Sequence, residues 1–353
     1  MTSSSRTADH SAPRFGYVPG KAFVANRQPG WYIWDSAPVA AEGNYYLFCS
    51  RWPERAGFGY NWLFRSEICQ FVSDSPRGPF RFLRVVLPAR GETFFDGRNT
   101  HNTCVRYYGG KYYLYYMGTT YAGTPDENLS NRARVLDVWN HKRIGLAVAD
   151  SIEGEFRRLD EPLLEAREAP FWDRTAITNP AVAIRPDGKT YLIYKSRRDE
   201  HAPMQLGVAV APRPEGPFVR LSDEPLIPLA DPRMMMEDPF LWYDEKKERF
   251  CLLAKDDPRD GVEGVCGEWG AGFYAESPDC VHYTLQNPPL VYSRRLCFED
   301  GEKVELANLE RPSVLFDDTG RPAWLYFAAG MGKAPYAFEG GTFVVGVPLE
   351  PEK

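Results

Sequence analysis

Apolar and polar positions along the chain form one phrase that is written five times. Each copy opens on one or two polar residues, runs through an apolar strand, breaks at a turn and continues as a strand rich in aromatic residues. The copies are WDSAPVAAEGNYYLFCSR from Trp34, HNTCVRYYGGKYYLYYMG from His101, TNPAVAIRPDGKTYLIYKS from Thr178, EDPFLWYDEKKERFCLLAKD from Glu237 and ERPSVLFDDTGRPAWLYFAAG from Glu310. Aligned on the aromatic strand, Asp35, Asn102, Asn179, Asp238 and Arg311 share one position. After each of the first four copies a second phrase follows: ICQFVSDSPRGPFRFL, IGLAVADSIEGEFRRL, LGVAVAPRPEGPFVRL and AGFYAESPDCVHYTL. It reads as a third strand, a turn and an outer fourth strand.

Repetition of one supersecondary unit at this length decides the architecture. Four-stranded sheets repeated radially make a β-propeller. The expected fold is therefore all-β: a five-bladed propeller of four-stranded blades around a central channel, with residues 31–350 as a single domain. A β-sandwich also gives regular short strands, but no reason for five matching phrases. The fifth copy ends at GTFVVGVPLE and lacks a fourth strand. The N-terminal arm, residues 1–30, is expected to close blade 5 from around residues 15–25, or to exchange between subunits and so make a homodimer. Helical periodicity is weak, and best over residues 127–140, in an insertion of blade 2. Insertions at residues 51–64 and 255–270 follow the second strands of blades 1 and 4 and are expected to overhang one face of the ring.

Composition narrows the function. Of 353 residues, 14% are aromatic, including 20 Tyr, 21 Phe and 9 Trp, which suits strands and sugar-binding surfaces. The net charge of −6 and the lack of a long basic block argue against nucleic acid. The first twenty residues are polar, and no stretch is long and apolar enough to span a membrane, so the expected location is cytoplasmic. The seven Cys show no metal spacing and fit free thiols in a reducing compartment.

In a propeller the innermost strands line the channel, and their starts gather at one mouth. The openings of the five copies would bring together Asp35, His101 with Asn102, Thr178 with Asn179, Glu237 with Asp238, and Glu310 with Arg311. Asp, Asn and Thr at strand starts also cap turns, but capping does not require Glu ahead of Asp-Pro or Arg-Pro. Strand alternation predicts that Glu237 and Asp238 do not both face the channel, and that Glu310 and Arg311 point apart. Aligning the second phrase adds Glu67, Arg143, Gln205 and Trp269 at the starts of third strands, as candidates for binding sugar hydroxyls or stacking on a ring. Lys195, Arg197 and Lys255 end second strands within reach of the mouth. No cofactor is required, and a structural cation in the channel is compatible with the acids and with His101.

The WD-x-x-P, EDP and ERP openings, each leading to an aromatic strand, resemble those of the five-bladed propeller glycoside hydrolases, families 43, 62, 32, 68 and 117, and more remotely the family 130 phosphorylases. The resemblance covers roughly residues 30–347. It implies that Asp35 is the base or nucleophile, that Asp238 holds the sugar and tunes the acid, and that Glu310 is the acid. Family 43 has an aspartate on blade 2 and a glutamate on blade 3 where this chain has Asn102 and Asn179. Carboxylates on blades 1, 4 and 5 look more like family 117, whose members act on oligosaccharides containing 3,6-anhydro-sugars. A His has been considered for the acid in that branch, which keeps His101 a candidate beside Glu237.

The expected activity is exo-acting hydrolysis of imported oligosaccharides, with inversion. Inversion requires carboxyl groups roughly 6.5–9.5 Å apart. A phosphorylase would instead need a basic cluster, from Arg143, Lys195 and Arg311. A non-catalytic sugar-binding propeller would keep the aromatics and tolerate loss of the acids.

Overall fold

A computed structural model describes residues 13–227, 231, 233–258 and 262–352. Five antiparallel sheets stand in a ring. Blade 1 comprises Trp31–Ala41, Asn44–Pro53, Glu67–Ser73 and Arg81–Leu87, and blade 2 Asn99–Tyr108, Lys111–Thr119, Arg143–Ala149 and Arg157–Arg158. Blade 3 comprises Thr178–Ile184, Thr190–Ser196, Gln205–Ala211 and Val219–Arg220, and blade 4 Met236–Asp244, Arg249–Asp256, Gly272–Ser277 and Thr284–Tyr292. Blade 5 has Asn308–Phe316, Pro322–Gly330 and Phe343–Pro351, and its outer position is filled from the other end of the chain. Both Tyr17–Pro19 and Phe23–Asn26 pair antiparallel with Phe343–Pro351. The Thr342 hydroxyl ties blade 5 to blade 1, accepting from Ile33 N at 2.8 Å and donating to Ile33 O at 2.7 Å.

The aromatic second strands explain why the ring holds. Side chains alternate across a strand, and each second strand is covered on both faces. Tyr112, Leu114 and Tyr116 pack toward blade 1, while Tyr113 and Tyr115 pack toward blade 3. Leu192 and Tyr194 share that second cluster, and Tyr191 and Ile193 face blade 4. One apolar cluster fills each of the five junctions. A fully buried side chain of this size contributes about 1.5–3 kcal/mol, so continuous apolar runs are stable here where a half-exposed sheet would alternate. Residues 125–140 form two short helices, Pro125–Leu129 and Arg132–Asn140. All seven cysteines are free thiols. Among the described residues no helix is long and apolar enough to cross a membrane.

A second repeated device ties the loops that lead into blades 2 and 3. Asp96 accepts from Tyr116 Oη at 2.6 Å, Arg90 Nε at 2.7 Å and Arg158 Nη1 at 3.2 Å. Asp173 does the same with Tyr194 Oη at 2.8 Å, Arg167 Nε at 2.7 Å and Arg220 Nε at 2.5 Å. Each aspartate is buried and joins its loop to the second and outer strands of one blade. Gly145 and Gly207 make room for this: a Cβ on either would fall within 2.6 Å of the tyrosine ring. Removing one partner of a buried ion pair costs about 3–5 kcal/mol. Asp173→Ala is therefore expected to lower stability by about that amount, read as the shift of the urea midpoint at unchanged m-value. A loss under about 1 kcal/mol would show that the arginines find solvent without cost.

Candidate active site

Asp35, Asn102, Asn179, Asp238 and Arg311 share a backbone conformation as well as an aligned position. Their φ angles are 62°, 57°, 52°, 52° and 59°, in the left-handed region that costs a non-glycine residue roughly 1–2 kcal/mol. At each of them the inner strand slips register against the second strand: between Trp34 and Ala37, His101 and Cys104, Thr178 and Ala181, Glu237 and Phe240, and Glu310 and Ser313. These are five equivalent β-bulges, a device that re-aims side chains. Asp and Asn tolerate the conformation best; Arg311 is held in it by ion pairs. The bulge breaks strict alternation, so His101 and Asn102, Glu237 and Asp238, and Glu310 and Arg311 all line one cavity. The expectation that Glu237 and Asp238 cannot both face the channel is corrected here. Glu310 and Arg311 share the cavity too, yet each finds its charged partners elsewhere.

Arg311 is the centre of the floor. Its Nε lies 2.6 Å from Asp35 Oδ1 and its Nη1 3.1 Å from Asp238 Oδ1. Asp35 is buried and does not reach the cavity surface. Besides Arg311 it takes Ser50 Oγ, Asn102 N at 2.9 Å and Asn102 Nδ2 at 3.3 Å. Asp238 takes Asn179 Nδ2 at 2.6 Å and Arg311 N at 3.2 Å. Burial pushes both carboxyls up, but Arg311 together with His101, Ser50 and Asn102 at Asp35, and with Lys255 and Lys195 at Asp238, holds both below the ordinary carboxylate range. His101 stands beside Asp35, with Nε2 4.0 Å from Oδ2 and Nδ1 2.9 Å from Ser66 Oγ. Burial depresses its pKa to about 4. The imidazole is thus neutral near pH 7 and stores no proton for a leaving group.

Above the floor, two lysines organise two glutamates. Lys255 is buried, with Nζ 2.7 Å from Glu310 Oε1 and 3.5 Å from Glu237 Oε2. Lys195 Nζ lies 2.8 Å from Glu237 Oε1. Glu310 Oε1 also accepts from Tyr336 Oη at 2.7 Å and Asn308 Nδ2 at 2.9 Å. Its Oε2 has no donor among the described residues and is the oxygen open to a ligand. Burial pushes Glu237 up, but Lys195 and Lys255 outweigh it and hold it below its usual range. Asp257, 3.9 Å from Lys255, is raised to about 6 by burial. The carboxylates that a channel cation would need are thus already paired with Arg311, Lys195 and Lys255.

The cavity measures about 390 Å³, within the range of small-molecule sites. Its walls are aromatic: Trp34 and Trp52 from blade 1, Phe58, Tyr60 and Trp62 from the insertion after them, Trp139 from the second helix, and Tyr336 from the last hairpin of blade 5. Phe58 stacks 6.1 Å from Tyr336, so opposite walls meet. Beneath the floor Arg106 fills the channel, donating to the carbonyls of Val182 at 2.6 Å, Val105 at 2.7 Å and Leu241 at 2.9 Å. The cavity is therefore blind, open at one mouth.

Four residues expected at the mouth lie elsewhere. Glu67 pairs with Arg51 at 2.8 Å. Arg143 turns to Glu165 at 2.7 Å and to main-chain carbonyls. Gln205 sits at the edge of blade 3, paired with Ser196. Trp269 packs between Lys255 and Arg294, at 5.4 and 5.3 Å. Third strands stand one step back from the axis, and the ends of the second strands and the insertions intervene. Lys195 and Lys255 are not solvated strand ends but buried members of the site. Of the residues the sequence missed, Lys142 directly precedes Arg143. Trp62 lies in the blade 1 insertion and Trp139 in the helical insertion of blade 2, where aromatic density was the available signal.

No family model matches the chain. A β-xylosidase of Xylanibacter ruminicola is 28% identical over 157 residues, which is 44% of this chain and 41% of that protein. The chain thus matches only about two-fifths of that relative's length. A family 117 glycoside hydrolase from Zobellia galactanivorans superimposes with a TM-score of 0.66 at 16% identity, covering 96% of this chain and 92% of that one. An arabinanase of Bacillus subtilis superimposes with a TM-score of 0.53 at 14% identity, covering 90% and 94%. The chain has the five-bladed propeller fold of the family 117 and family 43 glycoside hydrolases.

Proposed function

We propose that this protein is an exo-acting glycoside hydrolase that takes the end of an oligosaccharide into the blind cavity. The observation that carries the reading is the meeting of Glu237, Asp238 and Glu310 on a floor walled by aromatic rings. Indole and phenyl faces suit the apolar face of a sugar, and the carboxylates suit its hydroxyls. Closure of the channel below by Arg106 leaves no exit for a continuing chain, which favours cleavage at an end.

Glycoside cleavage needs a carboxylic acid beside the leaving oxygen and an ionised partner. Glu310 is assigned as the acid, through Oε2. For the ionised partner the geometry favours Glu237 over Asp35. Glu237 is kept charged by two lysines and lines the cavity. Asp35 has donors on both oxygens and no free face for water, so its proposed role is positioning Asn102 and Arg311. Glu237 and Glu310 share Lys255, which places them within one ammonium's reach of each other. Oxygens 2.7 and 3.5 Å from one ammonium favour the closer, retaining class over inversion, and retention is the proposed outcome.

The phosphorylase reading loses its basic cluster, because Arg143 is turned away and Lys195 and Arg311 are engaged by carboxylates. The test is turnover of a panel of aryl glycosides, with the first-formed anomer identified by NMR. Release of the sugar with retained configuration is expected. Inverted product would return the water-activating role to Asp35 or Asp238. Binding without turnover across the panel would favour a lectin.

A further inference from the structure

Lys142 lines the cavity and is only 2% exposed. Its Nζ lies 3.6 Å from the ring centre of Trp139 and 5.2 Å from that of Trp62. Among the described residues no carboxylate lies within ion-pairing distance of it. Arg197 covers the same Trp139 ring at 3.9 Å. Glu237, the acid whose charge acts on Lys142, is already engaged by Lys195 at 2.8 Å and Lys255 at 3.5 Å.

A buried ammonium without an anion is costly. Ring contacts offset only part of that cost. Burial and then the charge of Lys195 depress its pKa well below the usual value, as expected of a cation with no partner. Every other cation of the floor has a carboxylate: Arg311 has Asp35 and Asp238, Lys255 has Glu310, and Lys195 has Glu237. Lys142 is the exception, and it stands against the two indoles that form the sugar-stacking wall.

We propose that the sugar taken by this cavity carries an acidic group, a uronate carboxylate or a sulfate ester, and that Lys142 is the residue that seats it between Trp62 and Trp139. This rests on the reading that the cavity binds a sugar, and it narrows the substrate class. A neutral sugar would give Lys142 no anion, whereas an oxyanion would supply a partner and exclude neutral competitors.

The experiment is calorimetric titration of the full chain with galacturonate, glucuronate, galactose 6-sulfate, their neutral parents galactose and glucose, and inorganic phosphate. At least one acidic sugar is expected to bind tenfold or more tightly than its parent. The carboxylate and sulfate arms show which group fits. Lys142→Met is expected to bring that ratio near one, and Lys142→Arg to keep a preference. If Lys142→Met does not fold, Lys142→Gln serves, and the wild-type ratio already decides the main point.

The proposal is overturned if the neutral parents bind as tightly, if no acidic sugar binds, or if Lys142→Met weakens acid and parent alike. It is also overturned if phosphate alone matches the best acidic sugar, which would make Lys142 a site for a free oxyanion. Hydrolysis of neutral glycosides with no preference for acids would leave the hydrolase reading standing without this one. Tight binding of an acidic sugar with no glycoside cleaved would do the reverse.

Discussion

Glu310→Gln is expected to lower turnover by about 10²–10⁴-fold, the range for loss of a general acid. The loss should depend on the leaving group. An activated aryl leaving group such as dinitrophenolate departs without a proton, so the deficit should shrink with it and grow with poor leaving groups. Glu237→Gln should show a loss of similar size that does not depend on the leaving group, because its proposed work is on the other face of the sugar. Unchanged melting temperatures in both variants would separate chemistry from folding. Asp35→Asn provides the contrast. If it abolishes turnover on every leaving group while Glu237→Gln remains active, Asp35 is the base and the assignment of Glu237 is wrong.

A large effect on stability is expected at Arg311. Its guanidinium is the cation shared by Asp35 and Asp238, both buried. Arg311→Met leaves two buried carboxylates without it, at an expected cost of about 3–5 kcal/mol. Lys should recover only part, since one ammonium does not reproduce a planar fork that reaches two partners. The pH dependence carries a sign. In the wild type both folded pKa values lie below the unfolded value of about 3.9. The pairs therefore add stability above that pH, and the contribution is lost as pH falls through the folded values. Without Arg311, burial loses the strongest of the charges that oppose it, and the folded values are expected to rise. The deficit of Arg311→Met should then be greater at pH 7.5 than at pH 5. A deficit equal at both, measured by urea unfolding, would mean that the carboxylates do not depend on this cation.

Much of the ring was legible because burial on two faces leaves a mark in sequence. A run such as KYYLYYMG has no polar face to offer water, and five such runs leave little choice of architecture. The convergence of the opening residues at one mouth followed from topology alone. Which of them would share a cavity did not. Alternation is a rule for regular strands, and the five bulges are visible only in backbone angles and strand register. The same limit explains Arg143. Alignment identified the right turn of chain but not the right side of it, so Arg143 faces Glu165 while its neighbour Lys142 faces the cavity. Asp96 and Asp173 each lie six residues after their first arginine, in RGETFFD and REAPFWD, a repeated spacing that was the available signal; their tyrosine and second arginine come from strands farther along the chain.

Pairing of residues 17–26 with the final strand has a kinetic consequence. Those residues are synthesised before all of blades 1 to 4, yet their sheet partner, Phe343–Pro351, follows those blades. Blades 1 to 4 each contain all their own strands and can form in turn as the chain emerges. Blade 5 cannot, and neither can the junction between it and blade 1. Until the final strand arrives, the early strands remain unpaired edges, which are prone to pair with other chains. The slow, aggregation-exposed step of folding should therefore be ring closure, and it should be sensitive to changes in either terminal segment far more than to changes of similar size within blade 3.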